Sequence, residues 1–163
     1  MSDAARRQLE RLADLTPRGA FRVVGVKGRF DQSNMGQVPA LWGRLIPRLP
    51  IPGRRHGTLG LIISEGPAAF VYMAGVEMED GAPVPEGLDV VEVPAQTYAV
   101  WRLTTDGEAL HPQMQAALGE IWGRGIGAAG LRPTNGPNFE LYPPYFDQQK
   151  AGETVEFWIP VEA

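Results

Sequence analysis

One carboxylate stands where a core strand is expected. Glu140 lies in the run Asn138-Phe139-Glu140-Leu141-Tyr142-Pro143-Pro144, between residues that suit burial. An ionised carboxylate is costly to bury without a partner. In an extended strand successive side chains point to opposite faces, so Glu140 and Tyr142 share one face and Phe139 and Leu141 the other. Phe139 and Leu141 can serve the core while Glu140 and Tyr142 look into a groove. A carboxyl walled by rings has its pKa raised by desolvation, and a bound cation lowers it again. The same setting suits a general acid or base. The competing reading is a strand glutamate that faces water.

The rings come next. Trp42, Trp101, Trp122 and Trp158 are many for a chain of 163 residues, and core packing is the default for each. Trp122 falls about 120° around its helix from Leu110, on the edge of the apolar face, where an indole can stack on a flat or cationic ligand. Trp42 takes the equivalent place in an earlier helix, by a repeat described below. Tyr72, in the strand Phe70-Val71-Tyr72-Met73, is the preferred hydroxyl donor to the site. Trp101 is a weaker wall candidate, and Phe146 a candidate lid. His56 and His111 have no ligand-spaced partner, so no metal is expected. No serine sits in a nucleophile elbow. The glycines 123, 125 and 127 follow a helix, whereas a dinucleotide loop must precede one, and no cofactor is expected.

These side chains need elements to position them. Residues 4–15 read as a short charged helix with Leu9, Leu12 and Leu15 on one side. Residues 20–28, 59–64, 69–78, 138–142 and 154–161 read as strands. Residues 88–103 carry a long strand signal in which Pro94 demands an edge, a bulge or two shorter strands. Val38, Leu41, Trp42, Leu45 and Ile46 share one helical face, and so do Leu110, Met114, Ala117, Leu118 and Ile121. Gly123, Gly125, Gly127 and Gly130 are expected to end the second helix, and Asp106-Gly107 to form the turn and cap before it. The order is strand, helix, strand, strand, twice over. Pro17-x-x-x-Phe21-x-Val23-Val24 mirrors Pro94-x-x-x-Tyr98-x-Val100-Trp101, and Leu41-Trp42-Gly43-Arg44 mirrors Ile121-Trp122-Gly123-Arg124. The fold class is therefore α+β, a duplicated βαββ unit with pseudo-twofold symmetry. A ligand groove is expected at the seam of the two halves.

Composition narrows the function. Hydrophobic residues make up 44%, enough for a real core. The net charge of −4 and the lack of a basic run beyond Arg54-Arg55 give nucleic acid no electrostatic footprint. The absence of cysteine removes disulfides, thiolate metal sites and a cysteine nucleophile. No apolar window is long enough for a membrane span, and the first residues lack an apolar signal core. A soluble, cytoplasmic protein is expected.

Pro85-Glu86-Gly87-Leu88 leading into Val93-Pro94-Ala95-x-x-Tyr98-Ala99-Val100, then the Trp122 helix, the Phe139-Glu140-Leu141-Tyr142 strand and the closing Phe157-Trp158-Ile159-Pro160-Val161, resembles the GyrI-like small-molecule-binding family. This is the AraC-type effector-binding domain, whose fold also occurs in haem-associated SOUL proteins. The resemblance covers residues 20–162 as one domain, with halves at 20–78 and 88–161 and an extension at 1–19. It implies an antiparallel sheet, two main helices and a central groove with Glu140 at its floor. Tyr142, Trp122, Tyr72, Trp42, Trp101 and Phe146 complete the expected ligand-binding set. The leading expectation is a stand-alone module for bulky hydrophobic or cationic compounds. Some family members resemble hydrolases of cyclopropane-bearing natural products; in that alternative Glu140 activates water and Tyr72 donates a proton. A third is a gyrase-inhibitor-like protein acting on a protein partner. The first 19 residues are too short for a helix-turn-helix domain, so no direct contact with nucleic acid is expected.

Overall fold

A computed structural model describes residues 8–163. Among these residues nine strands form one antiparallel sheet. They are β1 (Leu9–Arg11), β2 (Thr16–Arg18), β3 (Phe21–Phe30), β4 (Arg54–Ser64), β5 (Phe70–Met78), β6 (Asp89–Val93), β7 (Gln96–Asp106), β8 (Asn138–Leu141) and β9 (Ala151–Pro160). The main helices are α1 (Val38–Leu45) and α2 (Leu110–Glu120). The spatial order β1-β7-β9-β8-β4-β5-β3-β6 carries the duplication: β3-β5-β4 in one half reads outward-in as β7-β9-β8 does in the other. The halves join through β4 and β8, where Gly60 lies opposite Glu140 and Leu61 opposite Phe139.

Alternation along the strands sends apolar side chains to both faces. On one face, Val24, Val26, Tyr72, Ala74 and Val76 pack under Leu41 and Leu45 of α1. On the same face of the other half, Trp101, Leu103, Val155, Phe157 and Ile159 pack under Met114 and Ala117 of α2. The opposite face is strand-lined: Phe21, Val23, Leu59, Leu61, Met73, Tyr98, Val100 and Phe139 form one cluster. Phe21 of β3 lies three strands from β8, roughly 14 Å in a flat sheet, yet its ring centroid is 5.6 Å from that of Phe139. The sheet therefore curls around this cluster.

Several expectations change. Within the helix expected over residues 4–15, Leu9–Arg11 instead form β1, and β2 follows at Thr16–Arg18, both pairing with β7; residues 4–7 lie outside the described residues. Docking on the edge of β7 gives this segment tertiary support, whereas a lone helix of such length is marginal in water. Ile46 leaves the α1 face and is exposed, because Pro47 turns the chain into a 3₁₀ turn there. Pro94 divides its segment into β6 and β7. Of the glycines expected to end the second helix, Gly123, Gly125 and Gly127 lie within it, as Ile121–Gly125 continue as a π turn and Ile126–Ala128 as α-helix, and Gly130 at φ +69° ends the run. Asp106 accepts the Glu108 N–H within its own turn, while Ala109 occupies the N-cap of α2. Among the described residues no helix is long and apolar enough to cross a membrane.

Candidate functional site

The pleat of β8 sends Phe139 and Leu141 into the strand-lined core and turns Glu140 to the helix-bearing face. There it meets β4 at Gly60. A Cβ at that position would lie 2.6 Å from Glu140 Oε1 and closer still to the Tyr72 hydroxyl. The space Gly60 leaves open holds that hydroxyl. Tyr72 Oη, from β5, donates to Glu140 Oε1 at 2.6 Å. Trp42 Nε1, from α1, donates in turn to Tyr72 Oη at 3.0 Å. An indole N–H can only donate, so the Tyr72 proton is directed to the carboxyl. The relay runs from the helix of one half to the central strand of the other.

Rings close around it. The Trp42 ring stands edge-on to Tyr142 at 5.6 Å and to Tyr72 at 6.5 Å, and Phe146 packs on Tyr142 at 5.1 Å. The Tyr142 hydroxyl also faces the carboxyl. Glu140 is 8% exposed. No Lys, Arg or His among the described residues lies within ion-pair distance of it. Burial raises its pKa above the ordinary 4.5, and the Tyr72 and Tyr142 hydroxyls offset part of that rise. Burial also pushes the Tyr72 and Tyr142 phenols upward, with the neighbouring Glu140 charge adding to it, so both stay protonated donors. The arrangement can offer one negative charge, or one acid proton, inside an aromatic enclosure.

Of the side chains proposed from sequence, Glu140, Tyr72, Trp42, Tyr142 and Phe146 come together. Trp101 and Trp122 do not join them. Trp101 is buried beneath the second half's helix, where a Cβ on Gly125 would come 3.4 Å from its indole nitrogen. Trp122 is 47% exposed in the π turn. Sequence reasoning passed over Gly60, although a glycine inside a strand is itself a signal of close approach. It also passed over Arg18 and Glu77 on the opposite face. Glu77 is buried and paired with Arg18. His56, at φ +59°, sits at the β4 irregularity with Nε2 3.9 Å from Glu77.

Known proteins share this framework. The family model described as Cass2, integron-associated effector binding protein, matches residues 15–161. The transcriptional regulator BrlR of Pseudomonas aeruginosa is 35% identical over 159 residues, which are 91% of this chain and 55% of the regulator. The chain thus spans about half the length of that relative. Among solved structures, SAV2435 bound to tetraphenylphosphonium superposes with a TM-score of 0.75 at 22% identity, covering 94% of each chain. The integron cassette protein VCH_CASS2, from the mobile metagenome of Vibrio cholerae, gives 0.65 at 19% identity, covering 94% of this chain and 99% of that one. At such identities the structural likeness shows the fold, and it agrees with the effector-binding resemblance read from the sequence.

Proposed function

Because the chain belongs to the Cass2 family of integron-associated effector binding proteins and is a small-molecule-binding protein, we propose that it binds bulky aromatic or cationic compounds against Glu140. One observation carries this reading: a buried carboxyl supplied with hydrogen-bond donors and rings, but with no cation among the described residues. Desolvated ion pairs and cation–π contacts both gain strength in such an enclosure. Trp42 and Tyr142 are only partly buried, so a ligand enters by parting them and Phe146 from the carboxyl. The phosphonium bound by SAV2435, four phenyl rings around one positive charge, supports this ligand class.

The test pairs that cation with a neutral relative. Tetraphenylphosphonium and triphenylphosphine oxide are titrated into the protein and into Glu140→Gln. The variant is expected to lose about tenfold or more in affinity for the phosphonium, roughly 1.4 kcal/mol, with the oxide little changed. An equal loss for both probes removes the charge argument.

A further inference from the structure

The groups facing Glu140 can be named strand by strand. Tyr72 faces it from β5 and Tyr142 from just beyond β8, while Trp42 of α1 acts through Tyr72. Gly60 of β4 contributes no side chain. None of these can supply a positive charge. An unpaired carboxylate held out of water is unfavourable, and such a group takes up a proton instead. The hydrogen bonds accommodate both states. Tyr72 donates to Oε1, which can accept as a carboxylate oxygen, more strongly, or as the carbonyl oxygen of an acid. The Tyr142 hydroxyl can donate to a carboxylate or accept from an acid O–H. Glu77 marks the contrast: its buried carboxylate has Arg18 beside it and Arg55 at 3.6 Å.

Resting on the cation-binding reading above, we propose that the empty site stores a proton on Glu140 and exchanges it for the positive charge of its ligand. The site then accepts weakly basic, flat aromatic amines in their neutral form as well as permanent cations. With a permanent cation, the Glu140 O–H bond breaks and the proton passes to the buffer. The carboxylate left behind faces the cation. With a neutral amine the same bond breaks, the proton joins the nitrogen lone pair, and nothing leaves the site. Net proton release therefore equals the charge the ligand carried in solution.

Acridine and N-methylacridinium share a ring system; the first is uncharged near neutral pH and basic at nitrogen, the second permanently charged. Both are titrated calorimetrically into the protein in buffers of different ionisation enthalpy. N-methylacridinium is expected to release about one proton per molecule bound, with affinity rising about tenfold per pH unit until Glu140 ionises unaided. Acridine is expected to bind without net release and to show the absorption spectrum of its protonated form. In Glu140→Gln, release on binding N-methylacridinium is expected to vanish. N-methylacridinium binding without proton release overturns the exchange and leaves the ligand-binding reading standing. So does bound acridine with an unprotonated spectrum, or release that persists in the variant. If neither dye nor tetraphenylphosphonium binds, the reading beneath the exchange falls with it.

Discussion

Two glutamates are buried among the described residues, one on each face of the sheet, and the fold gives one arginine partners and the other only hydroxyls and rings. Glu77, on the strand-lined face, meets Arg18 directly and Arg55 at 3.6 Å. The Arg18 guanidinium lies 4.1 Å over the Phe21 ring and 5.6 to 5.7 Å from the rings of Trp158 and Phe139. Carboxylate, planar cation and aromatic walls are all supplied by the chain. Glu140, on the helix-bearing face, has its walls in Trp42, Tyr72 and Tyr142, and its donors in two hydroxyls. No cation among the described residues pairs with it. The same ingredients thus make a latch where the chain fills them and, on the proposed reading, a receptor where it does not. Arg18 belongs to β2, which pairs with β7, and Glu77 to β5, so the latch ties the two halves of the curled sheet.

The largest effect should come from emptying the filled site. Arg18→Ala leaves Glu77 buried with only the longer contacts to Arg55, at 3.6 Å, and His56, at 3.9 Å. Breaking a buried pair by removing one partner costs about 3–5 kcal/mol. The Arg18 side chain is 20% exposed, which places the expected loss toward the lower value. Urea denaturation reads it directly, and a loss under about 1 kcal/mol sinks the latch. Gly60→Ala should follow. Its methyl would intrude on both the Tyr72 hydroxyl and Glu140 Oε1. Overpacking of this kind costs about 1–3 kcal/mol. Cation affinity should fall with it, because the donor and the carboxyl are forced apart. Retained phosphonium affinity in Gly60→Ala would show that the relay is dispensable.

A third test uses pH. The Glu140 carboxyl is raised above 4.5, so the folded state holds that proton more tightly than the unfolded chain. Its stabilising contribution is therefore full below the ordinary carboxyl pKa and is lost as pH rises through the folded value. Glu140→Gln lacks this loss. Relative to the variant, the natural protein should become less stable as pH climbs from about 4.5, by at most about 1.4 kcal/mol per pH unit. Denaturation series of both proteins across this range check it; parallel curves show that Glu140 titrates alike folded and unfolded.

Much of this was legible in the sequence because it is local. The twofold order of strand, helix, strand and strand follows from short periodic runs. The split duty of Phe139 and Glu140 follows from the strand pleat. The relay was only partly legible, because Trp42, Tyr72 and Glu140 come from three elements and meet only when the halves join at β4 and β8. Arg18 was not legible as a latch: its partner Glu77 lies far along the chain, and β2 forms only against the edge of β7. The π turn was hidden as well. Glycines at 123, 125 and 127 weaken a helix in isolation, and only burial of the residues around them holds it together.

The smallest expected effect tests the duplication itself. Leu41-Trp42-Gly43-Arg44 and Ile121-Trp122-Gly123-Arg124 are alike, yet Trp42 turns inward to Tyr72 and Trp122 outward to water. The two tryptophans stand in different local helices, Trp42 in α1 and Trp122 in the π turn. Ile121 and Ile126, five apart, are both buried, which is the repeat of a π turn and not of an α-helix. Arg124, one turn after Glu120, pairs with it on the outer side. Trp122→Ala should then change stability and phosphonium affinity by less than about 0.5 kcal/mol. Trp42→Ala should weaken binding clearly, since it removes both a wall and the donor to Tyr72. Matching losses for the two tryptophans would mean that the halves contribute equally to the site, and that the outward turn of Trp122 is not its binding conformation.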